Sequence, residues 1–209
     1  MLIITSINST DFKEVKEKIR KVENVAEWAH LDISDGTFSK HLTWCNPKDL
    51  AGFNSKIKME AHLMVANPEK KIAEWLKSPV KRIIVHLEAA GDLDFIIKKC
   101  RESGKEIGLA VNPETFWEKL ESWFNKVDLF LLLAVSPGPS GQKISEGTFE
   151  KIKKLRAACP ECKIEADGGA NTNNINELAR AGVDFLVVGS AVFDSDNPAE
   201  NIEKLKDML

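Results

Sequence analysis

A His-x-Asp pair at the end of an apolar run is the first part of this sequence that could do chemistry. Residues 28–33 read Trp-Ala-His-Leu-Asp-Ile, and Ser34-Asp35-Gly36 closes the run. Side chains two positions apart on a β-strand share one face, so His30 and Asp32 point the same way. An imidazole and a carboxylate on one face could begin a metal site, but a core histidine beside a loop-capping aspartate would give the same pattern. Matching ligands elsewhere in the chain would favour the metal site.

The composition is that of a globular protein. The chain has 209 residues, of which 43% are hydrophobic, and a net charge of -3 with scattered lysines. This length allows a full core, and the charge disfavours binding to nucleic acid. No apolar run approaches the about 18 residues that a membrane span needs, and the first residues lack the basic start of a signal peptide. We therefore predict a soluble, cytoplasmic protein that binds neither nucleic acid nor membrane.

The four cysteines do not predict a disulfide framework in a chain of this length. Cys159 and Cys162 form a C-x-x-C pair, a spacing that redox proteins and zinc sites use. No second pair follows at zinc-ribbon spacing, and no thioredoxin-like sequence surrounds the pair. We therefore favour no redox or metal role for it.

The elements that would position the His-x-Asp pair repeat one pattern along the chain. Short apolar runs alternate with segments whose apolar residues recur at helical spacing. The eight predicted strands cover residues 2–7, 29–33, 57–65, 82–87, 107–111, 128–135, 163–166 and 185–188. A helix is predicted after nearly every strand, including one after Asn112-Pro113 that carries Trp117, Leu120 and Phe124.

Eight strand and helix units in 209 residues average about 26 residues each, the size of one βα repeat in a barrel. We therefore predict that residues 1–209 form a single α/β domain with the (β/α)8 TIM-barrel fold. An open doubly wound sheet is the alternative, but it would carry fewer units and a glycine-rich phosphate motif after its first strand. Residues 8–11, which follow the first strand, contain no glycine.

A barrel would bring the polar residues at its strand ends to one mouth, where the chemistry of this fold takes place. These residues are Ser6, His30, Asp32, Glu60, His62, His86, Glu88, Asn112 and Asp167. Two imidazoles and two carboxylates among them would suit a divalent zinc, iron, manganese or cobalt ion. The four are His30, Asp32, His62 and Asp167. Buried histidines paired with neighbouring carboxylates are the alternative, which explains pairs more easily than four converging groups.

Glycines are grouped after the last three predicted strands, in residues 136–142, 168–169 and 189–190. Backbone amides next to glycine can bind a phosphate group without a lysine, and phosphate sites in these barrels commonly use the last two loops. Single glycine turns would be ordinary. Their grouping favours a phosphorylated substrate.

Taken together, the motifs resemble the ribulose-phosphate 3-epimerase family along essentially the whole chain. The matching blocks are Thr5 to Phe12, His30 to Gly36, His62 to Val65, His86 to Ala89, Asn112 to Thr115, Pro137-Gly138, Gly141 to Lys143, Asp167 to Gly169 and Gly189 to Phe193. The combination is specific, although no single block is. The resemblance implies an epimerase of the pentose phosphate pathway that converts D-ribulose 5-phosphate to D-xylulose 5-phosphate.

The resemblance also implies roles for the matching residues. One divalent metal ion would be held by His30, Asp32, His62 and Asp167, with zinc as the first choice and iron, manganese or cobalt as alternatives. Asp32 and Asp167 would also be the two acid/base groups, and Asp32 would take the proton from ribulose 5-phosphate. Substrate contacts would fall on Ser6, His62, Gly138, Pro139, Ser140, Gly141, Gly168, Gly169, Gly189 and Ser190.

The chain departs from the family pattern around the substrate. Ser34 and Leu133 stand where the family has methionines, and the serine predicts a wetter site. Pro139-Ser140 changes the phosphate loop. These changes leave two alternatives open, an epimerase for a hexulose such as allulose 6-phosphate and a non-catalytic sugar-phosphate-binding descendant. Five tryptophans suggest a subunit interface and hence a homo-oligomer, although core packing explains most of them equally well.

Overall fold

The computed structural model describes residues 1–209, and its eight parallel strands close into a barrel in chain order. The strands are β1 Leu2–Ile7, β2 Trp28–Ser34, β3 Lys58–Met64, β4 Arg82–His86, β5 Glu106–Val111, β6 Leu129–Leu133, β7 Ile164–Asp167 and β8 Phe185–Val188. Each strand pairs with its sequence neighbour, and β8 closes the barrel on β1. The predicted (β/α)8 fold is confirmed.

Seven α-helices and three 3₁₀ segments connect the strands. The helices are α1 Phe12–Val22, α2 Ile72–Lys77, α3 Leu93–Glu102, α4 Thr148–Ala158, α5 Ile175–Ala181, α6 Ser190–Phe193 and α7 Pro198–Asp207. The 3₁₀ segments are Pro47–Leu50, Pro68–Lys70 and Trp117–Trp123. No helix of the structure has the length and apolar character that crossing a membrane requires.

The helix predicted after Asn112-Pro113 is a 3₁₀ segment in the structure. Trp117, Leu120 and Trp123 recur at intervals of three residues. Residues at that interval line up on one face of a helix with 3.0 residues per turn, whereas an α-helix would spread them around its surface. The apolar residues therefore predicted a helix at the right place but not its 3₁₀ type.

Helix α1 shows how the local sequence sets an element against the barrel. Asp11 caps the helix, because its Oδ1 accepts a hydrogen bond of 3.0 Å from the Glu14 amide. Val15, Ile19 and Val22 recur at helical spacing and are buried. This stripe packs into the apolar layer between the helices and the strands, which is the main core.

The barrel interior contains two groups of apolar side chains. Residues Ile84, Ala110, Leu129, Leu131 and Leu133 fill the side formed by β4, β5 and β6. A second apolar group consists of Ile4, Trp28 and Val187. Buried polar side chains are contributed by β2 and β3 and, across the barrel, by β7.

Strand register brings the predicted site residues to neighbouring positions. Ser6 lies beside His30 in the β1 and β2 pair, and Asp32 lies beside His62 in the β2 and β3 pair. On the other side of the barrel, Asp167 ends β7. Because alternate side chains of a strand point inward, His30 and Asp32 both enter the barrel mouth.

Trp28, Trp44 and Trp75 are buried in the core of this chain. Their aromatic surface is therefore used within the chain, and they lend no support to the predicted subunit interface. The other two, Trp117 and Trp123, are half-buried.

Cys159 and Cys162 are joined by a disulfide, which the cysteine count did not predict. Their Cα atoms are 5.4 Å apart, a separation that a disulfide can bridge. The pair lies between the end of α4 and the start of β7, at the end of the barrel opposite the predicted site.

Candidate active site

The four predicted metal ligands meet at the C-terminal end of the barrel. His30 Nε2 lies 3.1 Å from His62 Nδ1, and Asp32 Oδ1 is 3.5 Å from each of these nitrogens. Asp167 Oδ2 lies 3.7 Å from His30 Nε2 and 3.6 Å from His62 Nδ1. All four residues are buried. Two nitrogens and two oxygens from three strands therefore point at one place.

This donor set fits a divalent metal ion. Zinc binds imidazole nitrogen and carboxylate oxygen at about 2.0–2.2 Å, which places tetrahedral ligands about 3.3–3.6 Å from one another. The ligand atoms of the cluster are separated by 3.1 to 3.7 Å along the contacts given above. Imidazole with carboxylate also suits iron, manganese and cobalt. The cluster could therefore hold one divalent ion.

Asp32 and Asp167 have opposite pKa shifts although both are buried. Burial raises the pKa of Asp167 to about 7 against the lowering effect of His30, and the nearby Asp32 carboxylate adds to the rise. Burial would also raise the pKa of Asp32, but His30 and His62 lower it below its usual range. Ser6 Oγ donates a hydrogen bond of 2.7 Å to Asp32 Oδ2, which further favours the charged form. One aspartate is thus suited to be ionised and the other to hold a proton.

Each ligand histidine has a partner for its second ring nitrogen. His30 Nδ1 lies 2.7 Å from Glu60 Oε1, and His62 Nε2 lies 2.8 Å from His86 Nε2. Phe38 packs on the His86 ring at 4.6 Å between centroids. The sequence placed His86 at a strand end without giving it a role. Its spacing from Glu88, the same as that of His30 from Asp32, was the available signal.

A cavity runs from the two aspartates to the loops after β6, β7 and β8. It is lined by all but one of the predicted substrate residues: Ser6, Gly138, Pro139, Ser140, Gly141, Gly168, Gly169, Gly189 and Ser190. His62, the exception, is fully buried and does not line the cavity. The structure therefore joins the carboxylates and the glycine loops in one space.

Gly169 fixes the shape of the loop after β7. Its φ is +71°, a value that residues with a side chain rarely adopt. A Cβ atom there would lie 2.8 Å from both Ile144 Cγ1 and the Ile144 amide nitrogen. The absence of a side chain lets the loops after β6 and β7 pack closely at the edge of the cavity.

Asn8 connects the two sides of the cavity, a role that was missed from the sequence. Its Nδ2 lies 3.3 Å from the Gly138 carbonyl and 3.5 Å from Asp32 Oδ2. His41 Nε2 donates to Asn8 Oδ1 at 2.8 Å. His41 lies outside the predicted strand ends. The fold-back of the loop after β2 brings it to the mouth, and no sequence period indicates that fold-back.

The prediction that Ser34 makes the site wetter was wrong. Ser34 is fully buried, and its Oγ donates to the His41 carbonyl at 2.7 Å and contacts Ser39 Oγ at 3.0 Å. It does not line the cavity, whereas Met64 and Leu133 do. Ser34 therefore fastens the loop after β2, and the apolar cover comes from other residues.

Comparison with protein families identifies the chain. A sequence model described as the ribulose-phosphate 3 epimerase family matches residues 2–193. The chain belongs to the ribulose-phosphate 3-epimerase family. The enzyme of that name from Synechocystis sp. is 35% identical, with 97% of this chain and 91% of the relative covered. The one from Escherichia coli is 32% identical, with 100% and 96% covered. The predictions of the family and of an isomerase of the epimerase type are confirmed.

Solved structures with a similar fold include enzymes of other kinds. A 3-hexulose-6-phosphate synthase superposes with a TM-score of 0.73 at 13% identity, and the match covers 100% of both chains. Orotidine 5'-phosphate decarboxylase from Pyrococcus horikoshii gives a TM-score of 0.71 at 16% identity, covering 99% and 98%. At these identities the similarity shows the barrel fold alone.

Proposed function

We propose that the chain converts D-ribulose 5-phosphate to D-xylulose 5-phosphate by moving one proton at C3. The observation that carries the proposal is the convergence of two buried carboxylates, from β2 and β7, beside a cavity lined by glycine loops. Membership of the epimerase family and the names of the relatives support this substrate.

The two aspartates would exchange the proton on opposite faces of the substrate. Ionised Asp32 takes the C3 proton, and the electrons of the broken C–H bond move to the C2 carbonyl oxygen and give a planar enediolate. Protonated Asp167 then donates to C3 from the other face, and the carbonyl re-forms. The lowered pKa of Asp32 and the pKa of about 7 for Asp167 support this division of roles. In the reverse direction, the roles are exchanged.

His30, Asp32, His62 and Asp167 would hold one divalent cation, zinc in the first place. When bound, the cation would supply positive charge against the substrate oxygens that become negative. The two histidines would only bind the cation and would not contact the substrate, because they are fully buried and do not line the cavity. Ser6 keeps Asp32 oriented through its 2.7 Å hydrogen bond and could also bind a substrate hydroxyl.

The glycine loops would hold the phosphate end of the substrate. Backbone amides near Gly138, Gly141, Gly169 and Gly189 border the cavity and could donate to phosphate oxygens without a lysine. The sugar carbons would then lie between these phosphate-binding loops and the two aspartates. The cytoplasmic location and the homo-oligomer stay predictions.

A coupled assay of the purified protein tests the proposal. We expect conversion of D-ribulose 5-phosphate that is lost with a chelator and restored by added zinc, manganese or cobalt. Activity on allulose 6-phosphate without activity on the pentulose would support the hexulose alternative instead. No activity on either substrate, in protein shown to contain metal, would contradict catalysis and favour a sugar-phosphate-binding protein.

A further inference from the structure

A charged cluster lies in the barrel interior one layer below the proposed metal site. Glu60 and Glu165 precede His62 and Asp167 by two residues on β3 and β7, so they face the same interior. Both glutamates are fully buried, and Arg82 of β4 is 5% exposed. Buried charges are costly unless they are paired, so this cluster needs a physical reason.

Glu165 Oε2 lies 3.6 Å from Arg82 Nη1, beyond hydrogen-bond distance, whereas Glu60 is held directly by Arg82. Its Nη1 donates to Glu60 Oε2 at 2.7 Å, and its Nε donates to Glu106 Oε2 at 2.7 Å. The guanidinium also lies 4.5 Å from the Trp28 ring centroid and 5.2 Å from that of Phe185. The arginine is therefore fixed on two edges and packed between aromatic rings, which fixes the orientation of the Glu60 carboxylate.

The orientation of Glu60 in turn determines which nitrogen of His30 carries a proton. Since Arg82 donates to Oε2, the other oxygen of Glu60 is free to accept, and it lies 2.7 Å from His30 Nδ1. A proton on Nδ1 leaves the Nε2 lone pair facing the other ligand atoms, the nearest of which is 3.1 Å away.

We propose that Glu60, held by Arg82, is a positioning residue for the metal site. It fixes the orientation of the His30 ring and favours the tautomer in which Nε2 can bind a metal ion. Partners of this kind orient ligand histidines and commonly change metal affinity about 10- to 100-fold when they are altered. The inference rests on the metal site of the proposed function.

Glu165 supplies a matched control within the same cluster. Its Oε1 lies 3.3 Å from His30 Nδ1, yet neither of its carboxylate oxygens has a hydrogen-bond partner. Both glutamates are fully buried. Changing either to glutamine removes the same group from the same interior, but only Glu60 loses a hydrogen bond to the histidine.

The test is the Co²⁺ affinity of metal-free Glu60→Gln and Glu165→Gln, measured with the visible spectrum of bound Co²⁺. In Glu60→Gln, Arg82 still requires an acceptor, so the amide turns its NH₂ toward His30 and moves the ring proton to Nε2. We expect Co²⁺ to bind about 10- to 100-fold more weakly with an altered spectrum, and Glu165→Gln to bind within about threefold of the original chain. Equal losses in both variants would show that the site responds to any change of a glutamate in this cluster and would overturn the proposal, as would no loss in Glu60→Gln.

Two further variants separate positioning from stability. Adding Arg82→Met to Glu60→Gln frees the amide to turn its oxygen to His30, so we expect most of the Co²⁺ affinity to return. If the Co²⁺ affinity does not recover, Arg82 does not set the orientation of the side chain at position 60. Arg156→Met removes hydrogen bonds to Gly182, Cys162 and Asp184 outside the barrel interior, so it should lower Tm without changing Co²⁺ affinity. If the original chain binds no Co²⁺, the proposed metal site fails before this inference is reached.

Discussion

The two sides of the cavity are built in different ways. On the side of the proposed metal site, the functional atoms belong to side chains of β2, β3 and β7. The strand register sets the position of each of these side chains. On the phosphate side, the loops after β6, β7 and β8 present glycines whose backbone would do the binding. A side-chain site is damaged by changing a functional group, whereas a backbone site is damaged by adding atoms that move the loop. Substitutions of the two kinds should therefore differ in both size and kinetic signature.

The largest effects should come from the aspartates of the metal side. Asp32→Asn and Asp167→Asn each keep the shape of the side chain but remove its proton transfer, so kcat should fall about 10²- to 10⁴-fold. Steady-state assays at saturating ribulose 5-phosphate measure this.

Asp35→Asn is the control, because Asp35 bonds Thr37 and pairs with Lys71 away from the cavity. Its kcat should stay within about threefold of the original chain, as for most changes away from a site. A loss in Asp35→Asn equal to that in the catalytic variants would place the effect in folding instead of proton transfer.

On the phosphate side, Gly169→Ala should act through substrate binding. The added Cβ would meet Ile144 at 2.8 Å and strain a φ of +71°. We expect the loop to shift and kcat/KM to fall about 10- to 100-fold, mainly through KM.

Gly141→Ala gives the comparison, since Gly141 has a φ of +82° but no atom within 4 Å of an added Cβ. That change carries only the conformational cost of about 1–2 kcal/mol. Equal kinetic losses in the two alanine variants would show that backbone strain, and not the contact with Ile144, disturbs the loop.

Asn8 joins the two sides, and its loss should have a moderate effect. Asn8→Leu removes the contact with Gly138 and leaves His41 without its partner. Because one such hydrogen bond contributes about 1 kcal/mol, we expect kcat/KM to fall about fivefold. His41→Gln keeps a donor that can reach Asn8 and should retain most activity. If Asn8→Leu is fully active while His41→Gln is impaired, Asn8 does not connect the two sides.

The smallest effect on catalysis is expected at the disulfide, which lies at the other end of the barrel. Changing Cys159 and Cys162 to serine opens a four-residue loop, so unfolding free energy should fall by at most about 2 kcal/mol. Activity at saturating substrate should be unchanged while the protein is folded. Thermal unfolding and the coupled assay, run on the same samples, measure both. A tenfold loss of activity would show that this end of the barrel reaches the site.

The difference between the two sides also explains what could be predicted from the sequence. The spacing of apolar residues within a strand or a helix depends only on residues close together in the sequence, so it predicted the strands and the barrel. The two-residue repeat of a strand also placed His30 and Asp32 on one face. Contacts made by loops are not periodic. For that reason the roles of Asn8, His41 and Ser34 could not be predicted. Their partners are brought together by the fold-back of the loop after β2.

The interior cluster shows a second limit. Arg82 starts β4 and could have been an ordinary exposed residue at the end of a strand. Pairing of β3 with β4 brings it beside Glu60, and only the closed barrel brings it to Glu165 across the interior. The disulfide could not be predicted for a similar reason, because the sequence spacing of two cysteines does not give the distance between their Cα atoms.

Proton exchange at C3 tests the two-aspartate account most directly. Proton NMR of D-ribulose 5-phosphate in D₂O should show the original chain forming xylulose 5-phosphate with deuterium at C3. With Asp167→Asn, Asp32 can still remove the proton, so deuterium should enter C3 of ribulose 5-phosphate without xylulose 5-phosphate being formed. Formation of xylulose 5-phosphate by Asp167→Asn at the rate of the original chain would contradict the account.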